Sequence, residues 1–384
     1  MIPYGKHNIN DKDISAVVDV LKSDWLTTGP CVPVFEDRIS NYCSSKFAVA
    51  VNSATSALHV ACLSLGLNRD DTVWTSPITF VASSNCALYC GAKVDFVDIN
   101  PLTFNMDSDA LEQKLITAKR NGNLPKIVIP VHLTGQSCEM DKIHKLSRLY
   151  KFKIIEDASH AIGASYKDEP VGNCKYSDIT VFSFHPVKII TTGEGGVATT
   201  NNPKLAEKMG LYRSHGISRD QESMKSWSHG SKDYEQVYLG FNYRMTDIHA
   251  ALGISQMDRL DEFVSKRHEI AEYYNSHLKN LPYSLPWQHP DTYSSFHLYV
   301  LRLSADNIKA GVDLFKELRS NGVYVTQHYA PVHIQPYYKK LGFSNGLFPH
   351  SESYHEDAFS IPMHQDLTKI QLKKIVSSLK KILA

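Results

Sequence analysis

One lysine of this chain stands in a setting that suits covalent chemistry. Lys188 ends the run SFHPVK at residues 183–188, which follows a predicted hydrophobic strand and precedes the glycine-rich residues 191–196. An amine attacks a carbonyl only in its uncharged form, and partial burial beside a positively charged ring lowers the pKa of a lysine. Lys188 is therefore a candidate for a Schiff base with an aldehyde cofactor, although a surface lysine in a glycine-rich turn would look the same in isolation.

A carboxylate ends another predicted strand, in the run IIEDASH at residues 154–160. Asp157 could pair with a pyridinium nitrogen and keep that ring protonated and electron-withdrawing, and His160 could orient the carboxylate or cover the ring. The structural alternative makes Asp157 the N-cap of the next segment. A Ser-His-Asp hydrolase is disfavoured because Asp157, Ser159 and His160 are sequence neighbours and no GxSxG elbow exists.

A polar turn at residues 52–58 (NSATSAL) predicts an anion site. The free backbone N–H groups of Ala54 and Thr55, the Thr55 hydroxyl and the dipole of the following helix all favour a phosphate. Ordinary capping of that helix by Ser53 explains the same residues. Walker A and GxGxxG loops are both absent, which argues against ATP or a dinucleotide.

Two further runs have weaker meaning alone. Phe80, in the run PITFVA at residues 77–82, could stack flat on a cofactor ring or could be a core residue. The run GFNYRM at residues 240–245 indicates only the capped start of a helix.

These residues need a scaffold, and the pattern predicts an α/β fold with a largely parallel sheet covered by helices. Short β-branched runs alternate with helical-period runs over residues 47–200. The predicted strands are 47–51, 72–75, 93–99, 126–131, 153–156, 178–184 and 196–200, and the predicted helices are 55–65, 108–117, 140–150 and 203–212.

A chain of 384 residues favours one large domain with a smaller one appended. Apolar residues at helical spacing predict one long helix over residues 245–278, and we place the boundary inside it, giving domains 1–255 and 256–384. The smaller α/β domain should contain strands at 298–303 and 323–326 and helices at 311–320 and 367–383.

Composition excludes several classes of partner. The formal net charge is +1, from 41 Lys plus Arg against 40 Asp plus Glu, so we expect no nucleic acid and no membrane surface as a partner. No 18-residue apolar run or leader-like segment occurs, so we expect a cytoplasmic protein. Seven scattered cysteines and 18 histidines without ligand spacing predict reduced thiols and no metal site.

Together these runs resemble the DegT/StrS-like nucleotide-sugar aminotransferases, a branch of the fold-type I enzymes that depend on pyridoxal 5'-phosphate. Five stretches recur in family order, at residues 52–55, 156–160, 183–188, 193–196 and 241–245. The resemblance implies a large pyridoxal-phosphate-binding domain with a mostly parallel seven-stranded sheet and a smaller C-terminal α/β domain.

The resemblance also implies roles for single residues. Lys188 would form the Schiff base and carry the proton, and Asp157 would face the ring nitrogen. The other implied cofactor-binding residues are Ala54, Thr55, Phe80, His160, Ser183 and Asn242. Asn242 would reach the phosphate of the neighbouring subunit, which implies a homodimer with two shared active sites. Many relatives carry tryptophan at the position of Phe80.

Within that family the chain is similar to transaminases of pseudaminic acid biosynthesis, which imply a substrate and a donor. The amino group of L-glutamate would pass to the C4 ketone of a UDP-linked 4-keto-6-deoxy-N-acetylhexosamine, with release of 2-oxoglutarate. The implied product is UDP-4-amino-4,6-dideoxy-N-acetyl-β-L-altrosamine. The implied substrate-binding residues are Tyr4, Asp24, Trp25, Leu26, Thr27, Thr326, Gln327, His328, Tyr329 and Tyr338.

Rival functions stay open at this level. A transaminase for a GDP-perosamine-type or TDP-linked sugar would carry the same residues, and so would a regulatory relative without activity, although intact Lys188 and Asp157 disfavour the latter. A sugar dehydratase of the same family would have histidine in place of Lys188. An NAD-dependent epimerase would need a glycine fingerprint, and residues 51–56 contain no glycine.

Overall fold

The computed structural model describes residues 1–218, 234–303 and 311–383. Its helices are α1 Asp11–Leu21, α2 Cys31–Cys43, α3 Ala54–Ser64, α4 Ala82–Tyr89, α5 Ser108–Asn121, α6 Met140–Tyr150, α7 Pro203–Arg213, α8 Asp247–Met257, α9 Leu260–Leu278, α10 Gly311–Ser320, α11 Pro336–Lys339, α12 Pro349–Asp357 and α13 Lys369–Leu383. Across the described ranges, no helix is long and apolar enough to cross a membrane.

Within the described part of the chain, the strands form one large sheet and three small ones. They are β1 Phe47–Val51, β2 Thr72–Thr75, β3 Lys93–Phe96, β4 Ile127–Ile129, β5 Lys153–Asp157, β6 Ser165–Tyr166, β7 Glu169–Pro170, β8 Ile179–Ser183, β9 Gly196–Thr200, β10 Ile217–Ser218, β11 Glu235–Gln236, β12 Tyr283–Ser284, β13 Thr292–Tyr293, β14 Tyr299–Leu303 and β15 Ala358–Ile361.

The large sheet has the order β1-β9-β8-β5-β4-β2-β3. Neighbouring pairs from β8 to β3 are parallel, and β9 is antiparallel to both β8 and β1, so β1 runs in the same direction as β8. The predicted mostly parallel seven-stranded sheet is confirmed. Six strands therefore deliver their carboxyl ends to one edge, where ligands of open α/β sheets bind.

Burial on both faces explains the composition of the central strands. All residues of β4, β8 and β9 are buried, and they are rich in Val, Ile and Thr. Such continuous runs are typical of sheet strands covered by helices on both sides. Helix α3 lies against this sheet, and its buried residues Leu58, Val60 and Ala61 join one core cluster with Val181 and Ala198.

The single long helix predicted over residues 245–278 is wrong. The structure has α8 and α9, separated at Asp258 and Arg259, where Arg259 leaves helical geometry with φ −117° and ψ 6°. The Arg259 guanidinium donates to the backbone and side chain of Asn8 and pairs with buried Asp13 at the start of α1. This attachment to the N-terminal segment holds the chain in a bend that local periodicity does not reveal.

The C-terminal part has its own antiparallel sheet, in the order β12-β14-β15. Its apolar cluster gathers residues from α9, β14, α10 and α13, and it also contains Ile2 from the N-terminus. The predicted strand at residues 323–326 is wrong, because this segment makes only isolated bridges from Val323 to Ile2 and from Thr326 to Ser360. Val323 and Val325 are fully buried. The alternating apolar residues of this segment therefore indicate burial and not pairing in a sheet.

Candidate active site

A cavity of about 740 Å³ lies at the carboxyl edge of the large sheet. The segments that follow β1, β2, β5 and β8 all contribute to its wall, because these strands end at the same edge. Its lining residues are Tyr4, Asn52, Ser53, Ala54, Thr55, Ser56, Leu58, Thr79, Phe80, Ala82, Val131, Asp157, Ser159, His160, Ser183, His185, Val187, Lys188, Glu194, His249, His297, His328 and Tyr329.

Lys188 lies in the connection between β8 and β9. The backbone of this connection is closed by hydrogen bonds from Phe184 N to Gly195 O at 3.0 Å and from Lys188 N to His185 O at 2.9 Å. Burial lowers the pKa of the Lys188 ammonium to about 8, against an opposing effect of the Asp157 charge. The amine is therefore uncharged in a useful fraction of molecules near neutral pH.

Asp157 ends β5 and is buried, with 5% of its surface exposed. Its Oδ1 accepts from the Ser159 hydroxyl at 2.5 Å and from the Ser159 backbone N–H at 3.1 Å. Its Oδ2 accepts from the Ser83 hydroxyl at 2.5 Å. Donors to both oxygens fix the orientation of the carboxylate toward the cavity.

Three histidines form a neutral wall beside these two residues. Burial lowers the pKa of His160 and of His297 well below the usual value, and it lowers the pKa of His328 to about 3, with the Lys188 charge acting in the same direction. The ring centroids of His160 and His297 are 4.3 Å apart, and His160 Nε2 is 3.2 Å from the Tyr329 hydroxyl. The buried His160 Nδ1 and His297 Nδ1 have no hydrogen-bond partner among the described residues.

The predicted anion seat is the start of α3. Ser53 caps this helix through a hydrogen bond from Ser56 N to its hydroxyl, so the capping interpretation of Ser53 is confirmed. The N–H groups of Ala54 and Thr55 belong to the first helical turn, which has no carbonyl within the helix to accept them. Gly196 of β9 packs directly against this turn, where a Cβ would overlap the Ala54 backbone nitrogen. The predicted anion seat therefore lies in the wall of the cavity.

Phe80 and Ser183, two further predicted cofactor residues, also line the cavity. Phe80 exposes 59% of its surface at the cavity mouth, and its ring centroid is 6.2 Å from that of Tyr329. A large aromatic face open to a cavity can accept a planar ring. Ser183 is buried at the end of β8, with its neighbours Asp157 and Lys188 lining the same space.

Only some of the predicted substrate-binding residues line the cavity. Tyr4, His328 and Tyr329 line the cavity, and the ring centroids of Tyr4 and His328 are 5.2 Å apart. Gln327 donates to the backbone oxygens of His355 and Ala358 and so anchors its own segment. Thr326 bridges Ser360 in the smaller sheet.

The remaining predicted residues lie outside the cavity of the single chain. Tyr338 is buried, and its hydroxyl is 2.6 Å from both the Ser84 hydroxyl and Asn85 Oδ1, beside a separate surface groove of about 640 Å³. Asp24, Trp25, Leu26, Thr27 and Asn242 are exposed at the surface. Their predicted contacts would have to come from a neighbouring subunit or from a substrate that extends beyond the cavity.

Sequence reasoning missed two histidines of the wall and a serine that donates a hydrogen bond to Asp157. Ser83 reaches Asp157 from α4, His297 comes from the segment before β14, and His249 comes from α8. Isolated serines and histidines carry no periodic or motif signal, so only the long-range packing reveals them. Among the described residues, no group of three or more His, Cys, Asp or Glu side chains could hold a metal ion.

Comparison with known proteins identifies the family of this chain. The model of the DegT/DnrJ/EryC1/StrS aminotransferase family matches residues 7–380. The chain belongs to this family. It is 39% identical, over 100% of its length and 98% of the relative's, to UDP-4-amino-4,6-dideoxy-N-acetyl-beta-L-altrosamine transaminase of Campylobacter jejuni. As a family member it is a sugar aminotransferase that depends on pyridoxal 5'-phosphate.

Solved structures of relatives superimpose over the whole chain. Helicobacter pylori PseC, described as an aminotransferase involved in the biosynthesis of pseudoaminic acid, has a TM-score of 0.89 and 30% identity, with coverage of 100% of this chain and 99% of PseC. The sugar aminotransferase Spr1654 of Streptococcus pneumoniae in its PMP form has a TM-score of 0.91 and 31% identity, with the same coverage. The predicted fold-type I architecture of this family is confirmed.

The residues present fit pyridoxal phosphate. The cavity offers an amine of lowered pKa, a carboxylate already oriented by hydroxyl donors, a helix start with free N–H groups and an open phenyl face. The unpartnered His160 Nδ1 is a buried polar atom that a bound group could satisfy.

Proposed function

We propose that this aminotransferase moves the amino group of L-glutamate to the C4 ketone of a UDP-linked 4-keto-6-deoxy-N-acetylhexosamine. The product would be UDP-4-amino-4,6-dideoxy-N-acetyl-β-L-altrosamine, and 2-oxoglutarate would be released. The observation that carries this proposal is the full-length similarity to a transaminase named for that product, together with a cavity holding Lys188 and Asp157 in one space.

Each cavity element has a proposed role. Asp157 faces the ring nitrogen, Ala54, Thr55 and Ser183 bind the phosphate, and Phe80 covers the ring. The chemistry that pyridoxal phosphate supplies when bound is an aldehyde that condenses with amines and a ring that withdraws electrons from the substrate carbon.

Lys188 supplies both the anchoring amine and the proton carrier. With its pKa lowered to about 8, the Lys188 amine is released as a neutral base when glutamate arrives and can accept the proton of the glutamate α-carbon. Within the glutamate half-reaction the Lys188 ammonium would pass this proton to the C4′ carbon of the bound cofactor. In the second half-reaction the amine would take a proton back from C4′ and deliver it to the C4 carbon of the sugar. Because His160, His297 and His328 stay neutral, Lys188 is the one of these four residues that gains and loses a proton during the reaction.

The neutral histidines and Tyr4 and Tyr329 suit the sugar ring. Imidazole and phenol groups donate and accept hydrogen bonds without adding charge, and their rings offer apolar faces. We propose that Tyr4, His328 and Tyr329 contact the hexose. The surface residues Asp24, Trp25, Leu26 and Thr27, with Thr326, Gln327 and Tyr338, remain proposed contacts of the nucleotide.

A homodimer in the cytoplasm is the proposed assembly. Asn242 is exposed and lies outside its own chain's cavity, which suits a contact with the phosphate of the partner subunit's cofactor. The proposed division places residues 1–255 in the large cofactor-binding domain and residues 256–384 in the small domain. The chain bends at Arg259, next to that boundary.

The test is a panel of 4-keto nucleotide sugars linked to UDP, GDP and TDP. Purified enzyme loaded with pyridoxal phosphate is incubated with L-glutamate and each sugar, and 2-oxoglutarate and the amino sugar are measured. The UDP-linked 4-keto-6-deoxy-N-acetylhexosamine should give the highest kcat/KM, with ping-pong kinetics. A GDP- or TDP-linked sugar that exceeds it would replace the proposed substrate.

The matched control is Lys188→Ala. Loss of the nucleophile should remove the absorbance band of the lysine-bound cofactor and reduce turnover by about 10⁴-fold or more, as expected when the covalent and proton-transfer group is lost. An active Lys188→Ala enzyme would contradict the proposed mechanism whatever the sugar.

A further inference from the structure

The hydroxyl of Ser83 lies against the carboxylate that the cofactor would face. Ser83 is fully buried in the first turn of α4, and its Oγ is 2.5 Å from Asp157 Oδ2 and 2.7 Å from Thr79 Oγ1. We propose that Ser83, supported by Thr79, is a positioning residue that orients the Asp157 carboxylate and holds its negative charge. This inference rests on the proposed role of Asp157 opposite the ring nitrogen.

The direction of the hydrogen bonds follows from the chemistry of the groups. An ionised carboxylate can only accept, so the single hydroxyl proton of Ser83 points to Asp157 Oδ2. Ser83 Oγ then accepts from the Thr79 hydroxyl. The resulting chain runs from Thr79 through Ser83 to Asp157, and each donor in such a chain polarises the next.

The two oxygens of the Asp157 carboxylate accept hydrogen bonds from two different parts of the fold. Ser83 donates to Oδ2 from α4, whereas Ser159 donates to Oδ1 from the segment directly after β5. Ser159 is only two residues from Asp157, so its contact is local. Ser83 is separated by 74 positions, and it ties the orientation of the carboxylate to the turn that also presents Phe80.

Charge control is the proposed consequence. A carboxylate oxygen that accepts hydrogen bonds is a weaker proton acceptor, so a proton shared with the ring nitrogen of a bound cofactor would stay on the nitrogen. A protonated ring withdraws electrons most strongly and makes the amine of Lys188 easier to release and the substrate α-proton easier to remove. Loss of the Ser83 hydroxyl should therefore weaken electron withdrawal without touching the substrate.

The experiment compares three variants in the holoenzyme. Ser83→Ala removes the donor, and Ser83→Cys keeps nearly the same volume with only a weak donor. The matched control is Ser84→Ala, since Ser84 is the next residue of the same turn and is equally buried, but its hydroxyl bonds Tyr338. The readouts are the pH midpoint of the absorbance change of the lysine-bound cofactor, the dissociation constant of the cofactor, and kcat and KM in the glutamate half-reaction.

We expect both Ser83 variants to raise the absorbance midpoint by roughly half to one pH unit and to weaken cofactor binding about 10-fold, the scale of one hydrogen bond to a charged group. The kcat of the glutamate half-reaction should fall about 10-fold while KM stays within about twofold. Ser84→Ala should keep the wild-type midpoint.

Two results would overturn the inference. One is a wild-type midpoint and cofactor affinity in Ser83→Ala, and the other is an equal shift in Ser83→Ala and Ser84→Ala, which would indicate general loosening of α4. Asp157→Asn distinguishes failure of the proposed role of Asp157 from failure of the proposed role of Ser83. If Asp157→Asn changes the spectrum and Ser83→Ala does not, the role of Asp157 stands and that of Ser83 fails.

Discussion

The charge of Lys188 depends on the balance of two effects in the cavity. Burial disfavours the ammonium, and the Asp157 carboxylate favours it, with burial the larger effect. The neighbouring His160, His297 and His328 stay neutral because their own burial lowers each pKa. The site thus combines an amine of lowered pKa with a carboxylate bonded by Ser83 and Ser159, beside three neutral imidazoles.

This balance predicts the pH dependence of cofactor loading. Only the neutral Lys188 amine attacks the aldehyde, so in apoprotein the rate of band formation should rise about tenfold per pH unit below the pKa and level off above it. The plateau should begin near pH 8, the lowered pKa, and not near the ordinary value of 10.5. The measurement is stopped-flow absorbance after mixing apoprotein with pyridoxal phosphate. A rate that still rises tenfold per unit through pH 9.5 would contradict the lowered pKa.

At the scale of elements, the anion seat requires close contact between α3 and β9. Gly196 pairs with Val51 across the antiparallel strands and lies against the backbone of Ser53 and Ala54. The absence of a side chain there lets the first turn of α3 approach the sheet. The Gly-Glu-Gly-Gly run near Lys188 therefore also shapes the end of the cavity beside the start of α3.

Substitution of Gly196 tests this contact. In Gly196→Ala the new methyl group would overlap backbone atoms that cannot rotate away, so we expect a loss of about 1–3 kcal/mol of unfolding free energy and weaker cofactor binding. Gly210→Ala is the matched control, because a Cβ in this helical position of α7 meets nothing within 4 Å. It should stabilise by about 0.5–1 kcal/mol. Denaturant unfolding and cofactor titration measure both, and equal effects would contradict the role of Gly196.

At the scale of the whole molecule, the cavity lies among parts of the chain that are far apart in sequence. Tyr4 comes from the N-terminal segment, Lys188 from the connection between β8 and β9, and His328 from the C-terminal part, and all three line the same cavity. The N-terminus is tied to the C-terminal part by the hydrogen bond from Ile2 N to Gly322 O at 2.7 Å. Asn242, one residue of the proposed site, lies outside this cavity, and its proposed contact would be made in a second subunit.

Mixed dimers test the proposed sharing of active sites. Lys188→Ala removes the amine of its own site, and Asn242→Asp places a negative charge near the phosphate of the partner's site. Each homodimer should have low activity. Random reassortment of the two should restore about one quarter of the wild-type activity, since half of the dimers would contain one intact site of two. Failure to gain activity, with heterodimers shown by native mass spectrometry, would contradict a shared site.

The sequence by itself determined the scaffold and the central pair. The strands β1, β2 and β9 have the predicted bounds, and Lys188 and Asp157 could be singled out because β-branched runs, strand ends and glycine turns are local signals. The tertiary structure alone decided that Ser83 meets Asp157, that Arg259 bends the chain between α8 and α9, and that Tyr338 is buried against Ser84. Each of these depends on contacts between residues far apart along the chain, whose energies no local pattern encodes.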